Sequence, residues 1–403
     1  MKTRESLLEE AVQLILQHHK VALQWGTSVG KSKAAITMLN ELMKRDNKSF
    51  NVLLIVAETA HKNNWKEEIK KWKLQECNID IQCYASLKKY KDSNWDVVIF
   101  DEAHHLKSSL RLGIISTIKS TYTIFLSATL GFNLRCDLAY IYGNIYNSRC
   151  SIDDAIKNEI LPTPKIYLIP LELDDTKSNY VIEEYKGKKE FATIIKCKLS
   201  ERNNYIFNSK YPNVKLIMSC TQKEAYNFYT AQFNRLKEQY MNNRKEYIRF
   251  KWLQMGSQRK LLLGNTKTKV VSKLLSKLDK DKQRYICFCT SIEQAEQLGD
   301  KKYAIHSKNN NSLKILDDFN NQKIDKIFAC KMLQEGQNLV NIQAGIIIQL
   351  DGQERTFIQR FGRAMRANSP VQYIFYYRNT RDEEYLKDAL QGIDKEYIEI
   401  LNM

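Results

Sequence analysis

Residues that interrupt regular structure are scarce in this chain, which has only 5 Pro and 14 Gly in 403 residues. This scarcity excludes collagen, Pro-rich stalks and long flexible linkers. No apolar run approaches the ~20 residues of a membrane span. The amino terminus, MKTRESLLEE, is not followed by the apolar stretch of a signal peptide. We therefore expect a globular protein in the cytoplasm, without a membrane partner.

Disulfides are not expected either, because the 9 Cys residues are an odd number at scattered spacings. The closest pair, Cys287 and Cys289, lies in an apolar, strand-like run that would point both side chains to one face. This pattern predicts reduced, buried cytosolic cysteines rather than disulfides or a metal site.

Positive charge is what the chain has in excess, with a net charge of +17 at pH 7. Residues 196–282 contain 20 Lys and Arg against 6 Asp and Glu, and so hold +14 of that charge. Such a concentration indicates a polyanionic partner. A lysine-rich solvated surface, produced by an A/T-rich coding bias, would also explain it, and composition leaves both interpretations open.

Length and composition predict two or three domains, since 403 residues exceed one ordinary core and 43% of them are hydrophobic. Short apolar runs alternate with helical periodicity in the first 150 residues, where Trp65, Ile69 and Trp72 are apolar positions at helical spacing, and again near the carboxyl terminus. This alternation predicts two α/β domains built on parallel sheets. The runs are KVALQ (20–24), NVLLIVA (51–57), DVVIF (96–100), YTIFLSA (122–128), RYICFCT (284–290), DKIFACKM (325–332), AGIIIQL (344–350) and VQYIFYY (371–377).

The chain between these two patterns has a different character. It begins with a Pro-punctuated crossing, LPTPK, followed by a strand-like run, IYLIPLEL (166–173). From about residue 221 to residue 263 it continues as long, basic, aromatic-bearing helices without a strand signal. The predicted boundaries are 1–152 for the first α/β domain, 153–220 for the crossing and the start of the second lobe, 221–263 for a basic helical insertion, and 264–403 for the second α/β domain.

A glycine-containing loop, Gly26-Thr27-Ser28-Val29-Gly30-Lys31-Ser32, follows the first strand-like run and opens a helical stretch. In that position, backbone N–H groups would cradle phosphate oxygens. Lys31 would neutralise the β- and γ-phosphates, and the Ser32 hydroxyl would ligate Mg²⁺. A full P-loop has Gly where this chain has Trp25, so an ordinary turn before a helix remains the alternative.

Two adjacent carboxylates, Asp101 and Glu102, come directly after the apolar run DVVIF, followed by His104. At the end of a parallel strand beside a P-loop, Asp101 would hold Mg²⁺ and Glu102 would act as general base toward an attacking water. An acidic N-cap of the next helix is the alternative.

Two further short motifs complete the set. Ser127-Ala128-Thr129 ends the next strand-like run, where two hydroxyls could relay between sites, although a plain hydroxyl-bearing turn explains them equally well. In QRFGRAMR (359–366), Arg363 and Arg366 are three residues apart and so share one helix face. Two guanidinium groups there could stabilise charge on a γ-phosphate held by the other domain. An exposed basic helix is the alternative.

In this order and spacing, the motifs resemble those of a superfamily 2 helicase or translocase of the DEAH type, over residues 1–173 and 265–370. WGTSVGKS resembles motif I, DEAH motif II, SAT motif III, LQEGQNLVN (333–341) motif V and QRFGRAMR motif VI. LLIVAETAHKNNWKEEIKKW is similar to motif Ia of Swi/Snf-type DNA translocases. The small size also suits a viral or mobile-element protein.

The resemblance implies two RecA-like domains with ATP and Mg²⁺ between them. Lys31, Ser32, Asp101 and Glu102 would act from the first domain, and Gly336, Gln359, Arg363 and Arg366 from the second. His104, Ser127 and Thr129 would couple the nucleotide to the track. Ser28 departs from the family, which usually has Gly there, and this puts the phosphate contacts in doubt.

The function implied is an ATP-driven motor that moves along or unwinds nucleic acid, with DNA favoured over RNA. The basic helical segment, through Arg244, Lys245, Arg249 and Lys251, would track the phosphate backbone. A clamp that uses nucleotide only to switch its affinity is the alternative, and a motor subunit of a larger nuclease or repair complex is a third. The sequence names no replication, recombination or repair partner.

Overall fold

A computed structural model of the chain describes residues 2–187, 193–208, 213–330, 339, 341–350, 370–391 and 393–403. No helix in those ranges combines the length and the apolar character needed to cross a membrane. Gly336, Gln359, Arg363 and Arg366 lie outside the described residues.

The first domain is built on a six-stranded sheet in which every pairing is parallel, in the order β3-β2-β4-β5-β1-β6. Parallel strands need crossover connections, and helices supply them here. The strands are β1 (Lys20–Trp25), β2 (Asn51–Val56), β3 (Asn78–Cys83), β4 (Asn94–Phe100), β5 (Lys119–Ser127) and β6 (Tyr146–Cys150).

Helices cover both faces of this sheet. Alternate residues of β2 join different apolar clusters: Val52 and Leu54 lie in one, Leu53 and Ile55 in the other. The helices are α1 (Arg4–Gln17), α2 (Lys31–Asp46), α3 (Thr59–Lys71), α4 (Ser109–Ile115), α5 (Phe132–Tyr142) and α6 (Ile152–Lys157), with 3₁₀ turns at Tyr84–Tyr90 and Ala103–Lys107.

The second domain is built on a seven-stranded parallel sheet, in the order β12-β13-β11-β14-β15-β7-β16. Its strand β7 comes from the crossing segment, far earlier in the chain than its neighbours. The strands are β7 (Lys165–Leu171), β11 (Tyr285–Phe288), β12 (Ala304–Ile305), β13 (Lys326–Ala329), β14 (Ala344–Ile347), β15 (Val371–Tyr377) and β16 (Ile398–Ile400).

Between β7 and β11 lies a region that the strand pattern did not predict, a small three-stranded sheet. In it β10 pairs antiparallel with β8 and parallel with β9, and Ile182, Leu216 and Met218 pack beneath the helix that follows. The strands are β8 (Tyr180–Lys186), β9 (Thr193–Lys198) and β10 (Val214–Cys220), with a 3₁₀ turn at Leu199–Glu201 and helix α7 at Arg202–Asn208.

The predicted basic helices are confirmed as two long helices, α8 (Gln222–Asn243) and α9 (Glu246–Thr266), which pack against each other. We call this pair, residues 222–266, the basic hairpin. The remaining helices are α10 (Thr268–Lys280), α11 (Ile292–Gly299), α12 (Ser312–Asn320) and α13 (Arg381–Ala389), with a 3₁₀ turn at Lys395–Tyr397.

The cysteines follow the sequence prediction in part. All nine are free thiols, and Cys287 and Cys289 are both buried in the core of the second domain. Cys77, Cys83 and Cys197, however, are only partly buried and Cys136 is exposed, so the expectation of burial was wrong for these four residues.

Candidate functional site

The predicted phosphate-binding loop lies at the carboxyl end of β1 and leads directly into α2. Gly30 precedes the helix with φ 118°, a left-handed conformation that side chains other than glycine rarely adopt. Gly30 has no side chain with which to cap α2, and N–H groups at a helix amino terminus can bind an anion. The Val29 side chain is buried in the core, and only its backbone can contribute.

Ser28, which departs from the family pattern, also has a left-handed backbone, with φ 70°. That conformation explains why glycine is usual at this position, since a side chain there costs roughly 1–2 kcal/mol. Serine adopts this conformation here and adds a hydroxyl to the loop.

Lys31 is the first residue of α2, and its ammonium group turns back over the loop. Its Nζ donates a hydrogen bond to the Trp25 carbonyl at 3.0 Å. The positive charge is therefore held over the loop that is predicted to bind phosphate. Thr27 and Ser32 are half-buried on either side of Gly30.

Asp101 follows β4 at the same edge of the sheet, where its backbone N–H donates to the Ile55 carbonyl at 2.8 Å. Its Oδ1 accepts from the Glu102 backbone N–H at 3.0 Å. Burial raises the pKa of the Asp101 carboxyl, and the neighbouring charge of Glu102 raises it further. The Trp65 indole opposes both effects, and Lys31 opposes them more weakly, so Lys31 lies within electrostatic reach of this carboxylate.

Trp65 makes a contact with Asp101 that the sequence did not reveal. The Trp65 side chain is 4% exposed, and its Nε1 donates to Asp101 Oδ2 at 2.7 Å. Tyr84 supports the same residue, because its hydroxyl donates to the Asp101 carbonyl at 3.0 Å. The helical spacing of Trp65 indicated only that its side chain packs in the core. The indole N–H also forms a hydrogen bond, which that spacing does not predict.

We predict that Trp65→Phe raises the Mg²⁺ concentration needed for half-maximal ATP hydrolysis by at least about tenfold. Hydrogen bonds that orient a metal-binding carboxylate typically contribute ~10–100-fold to affinity or activity. Phenylalanine keeps the buried ring but cannot donate to Oδ2. Hydrolysis rates across a Mg²⁺ titration measure the change.

Trp72 provides the matched control, because its Nε1 also donates to a carboxylate, that of Glu68, at 2.7 Å. Trp72→Phe should leave the Mg²⁺ titration unchanged. Equal shifts in both variants would show a general effect of losing an indole, and no specific role for Trp65.

Glu102, His104 and Ser127 form a contact chain that joins two motifs. His104, 2% exposed, places its Nδ1 3.2 Å from Glu102 Oε2 and 3.2 Å from Ser127 Oγ. Ser127 Oγ in turn donates to the Thr129 carbonyl at 2.8 Å. Glu102 has a left-handed φ of 48°, a strained conformation of the kind that clusters at functional sites.

The structure therefore brings the loop 26–32, Asp101, Glu102, His104, Ser127 and Thr129 to one edge of the first sheet. The donor set fits a nucleotide with its metal: a helix amino terminus and an ammonium for phosphate, and the Asp101 carboxylate and Ser32 hydroxyl for Mg²⁺. The catalytic roles of Gln359, Arg363 and Arg366, and nucleotide binding by Gly336, stay predictions.

The four basic residues predicted to contact nucleic acid lie together where α8 turns into α9. Arg244 and Lys245 form the turn, and Arg249 and Lys251 follow in the first turns of α9; all four are exposed. Arg249 Nη1 lies 3.2 Å from Glu246 Oε2.

Two family models match parts of this chain. Residues 266–368 match the "Helicase conserved C-terminal domain" and residues 73–132 match the "Type III restriction enzyme, res subunit". The first range contains the QRFGRAMR motif, and the second contains both carboxylates of the site. No curated protein matches the chain.

Solved structures share the fold at 12% sequence identity. The ATP-dependent Type ISP restriction-modification enzyme LlaBIII bound to DNA has a TM-score of 0.55; all of this chain aligns, but it spans 31% of that chain. Mss116p bound to ssRNA and AMP-PNP has a TM-score of 0.57, with 100% of this chain and 80% of that chain covered.

The two parallel sheets match the two RecA-like domains of these neighbours, so the predicted fold class is confirmed. The two family models match one region in each of these domains, and the superfamily 2 helicase assignment and an ATPase activity stay proposals. The DEAH-type assignment, the Swi/Snf likeness and a viral origin stay predictions.

Proposed function

We propose that this protein is an ATP-driven motor that moves along or unwinds DNA. The observation that carries the proposal is the contact chain from Glu102 through His104 to Ser127, beside the loop that holds Lys31. This chain of contacts connects Glu102, the candidate general base, to Ser127 at the end of β5. A change at the nucleotide could be transmitted out of the site along it.

In this mechanism Lys31 and the first amides of α2 bind the phosphates of the substrate ATP. Glu102 accepts a proton from the water that attacks the γ-phosphate. Mg²⁺, when bound, would supply positive charge against the phosphate oxygens, and Asp101 and Ser32 are the residues that would hold it. Trp65 orients the Asp101 carboxylate.

The same residues would couple the state of the nucleotide to the bound nucleic acid. Because His104 Nδ1 is in reach of both Glu102 and Ser127, a change at the base alters the hydrogen bonds of the Ser127–Thr129 turn. ATP binding and hydrolysis then favour different grips on the strand, and alternation between them produces a step.

DNA is favoured as the track on two grounds. One matching family model describes a restriction enzyme subunit, and one structural neighbour is bound to DNA. The motif Ia resemblance points the same way. The RNA-bound neighbour, Mss116p, shows that the fold also serves RNA, so the choice of track needs a direct test.

That test is ATP hydrolysis measured without nucleic acid, then with single-stranded DNA, duplex DNA and RNA of equal length. We expect DNA to stimulate the rate most. Hydrolysis that no nucleic acid changes would contradict the proposal. Binding that depends on nucleotide, without turnover, would favour the clamp.

The hairpin charge yields a further prediction. Neutralising Arg244, Lys245, Arg249 and Lys251 to Gln should weaken DNA binding for all sequences alike. It should also lower the slope of log affinity against log salt by roughly 0.7–0.9 for each phosphate that is no longer neutralised. Basal ATPase should persist, because none of the four lies at the nucleotide site. Binding isotherms at several salt concentrations measure the slope.

A matched control exists on α10, where Lys273, Lys277, Lys280 and the nearby Lys282 are exposed and belong to the same basic region. Neutralising them removes the same charge. Their variant should keep the wild-type salt slope. If both variants reduce it equally, the hairpin tip has no special role and the charge acts only as a diffuse field.

A further inference from the structure

We infer that the tip of the basic hairpin carries a base-stacking platform, formed by Tyr247 and Phe250, for a single-stranded segment of the nucleic acid. The inference rests on the proposed function and adds the kind of strand that the tip recognises. It rests on the division of the hairpin's aromatic residues into one group that packs the two helices together and another that is exposed to solvent.

One group of aromatics holds the two helices together. Trp252 stacks on Tyr240, with ring centroids 5.8 Å apart, and lies 5.6 Å from Phe233. Gly256 allows this close packing, because a Cβ there would meet the Phe233 ring at 3.1 Å. Ile248 is buried near the turn. These residues pack the hairpin without any help from Tyr247 or Phe250.

The second group faces solvent. Tyr247 is 60% exposed, Phe250 71% and Leu253 53%. Successive spacing of three residues places them along one face of α9. Single exposed apolar residues are ordinary, but a stripe of three large ones indicates a contact surface.

The charged residues around these three exposed side chains indicate which ligand they bind. Residues 244–251 contain four basic side chains and one acidic one, Glu246, which pairs with Arg249. Lys251 Nζ lies 5.8 Å from the Tyr247 ring centroid. Cations beside exposed ring faces match a single strand, in which phosphates and unstacked bases are both accessible. A duplex hides its base faces, so it would use only the charges.

The hairpin is firmly attached to the second domain at its other end. The Tyr226 hydroxyl accepts from the Arg381 backbone N–H at 2.9 Å. Gln294 Nε2 donates to the Gly264 carbonyl at 2.8 Å, and Lys267, directly after α9, is fully buried. From this root α8 extends 22 residues, about 33 Å at 1.5 Å per residue. A base stacked at the tip would therefore move with the second domain.

The test compares wild type with the Tyr247→Ala/Phe250→Ala variant on three probes of equal length. These are single-stranded DNA, the same strand with abasic nucleotides at its centre, and duplex DNA. We expect the variant to bind the intact strand about tenfold more weakly or worse. Duplex affinity should be nearly unchanged, and on the abasic strand wild type and variant should bind equally.

Conservative variants separate stacking from general apolar contact. Phe250→Leu keeps the apolar volume but removes the ring face, so it should reduce affinity as alanine does. Tyr247→Phe keeps the ring and should bind normally. Tyr140 is 93% exposed on α5 of the first domain, and Tyr140→Ala should change nothing.

Two outcomes would overturn the platform. The first is an equal loss of affinity on intact and abasic strands; the second is an altered oligomeric state with DNA affinity unchanged, which assigns the stripe to a protein contact. The proposed function fails separately, if wild type neither binds nucleic acid nor responds to it in ATP hydrolysis.

Discussion

Glu102→Gln is expected to slow ATP hydrolysis by roughly 10²–10⁴-fold, the usual contribution of a general base, while nucleotide affinity stays close to wild type. The amide keeps the size of the side chain and leaves its terminal group beside His104 Nδ1, which lies 3.2 Å from Glu102 Oε2. It cannot accept a proton from water. Steady-state hydrolysis and titration with a fluorescent ATP analogue measure the two quantities.

Glu67 offers a control for this substitution, since it is exposed on α3. Glu67→Gln makes the same chemical change and should leave the rate unaltered. Near-normal hydrolysis by Glu102→Gln would remove Glu102 from its role. Loss of nucleotide binding would show instead that the Glu102 carboxylate is needed to maintain the structure of the site, where the backbone of this residue is left-handed.

The sequence predicted the interior of both parallel sheets but not their edges. Each apolar run of the two α/β patterns corresponds to an interior strand, β1, β2, β4 and β5 in the first domain and β11, β13, β14 and β15 in the second. The strands it missed in these sheets, β3, β6, β12 and β16, are all edge strands. An edge strand is buried on fewer sides, so its sequence, such as Tyr146–Cys150 (YNSRC), need not be apolar.

The candidate site divides in a similar way. Residues that act within one short motif, such as Lys31 or Asp101, have a local pattern that the sequence displays. Contacts between distant segments have none: Trp65 reaches Asp101 across 36 residues, and the helical spacing that marked Trp65 is satisfied by packing alone. The same is true of Lys267, which no local pattern distinguishes from the other lysines of its region.

Lys267 lies between α9 and α10 with no exposed side-chain surface. Its Nζ donates to Asp382 Oδ2 at 2.6 Å and to the carbonyls of Ile348 and Phe375 at 2.9 and 3.0 Å. Burial lowers the pKa of the lysine, and the charge of Asp382 opposes that shift. The ammonium thus joins the basic hairpin to the ends of two strands and to α13.

Replacing one partner of this pair should have the largest effect on stability. We expect Lys267→Met, or Asp382→Asn, to lower the free energy of unfolding by about 3–5 kcal/mol, because each leaves a buried charge without compensation. The double variant should be destabilised by about 0.5–3 kcal/mol less than the sum of the two single variants, since the remaining charge is then also gone. Urea unfolding followed by circular dichroism measures all three.

An exposed pair shows why burial decides the size of this effect. Lys323 Nζ lies 3.2 Å from Asp318 Oδ1, but the lysine side chain is 65% exposed, so water solvates either partner when the other is removed. Lys323→Met should therefore cost at most ~1 kcal/mol. If Lys267→Met lowers the free energy of unfolding by no more than that, Asp382 does not stabilise the buried ammonium in the folded protein. The hairpin must then be held to the second domain by its apolar contacts around Tyr226 and Leu263.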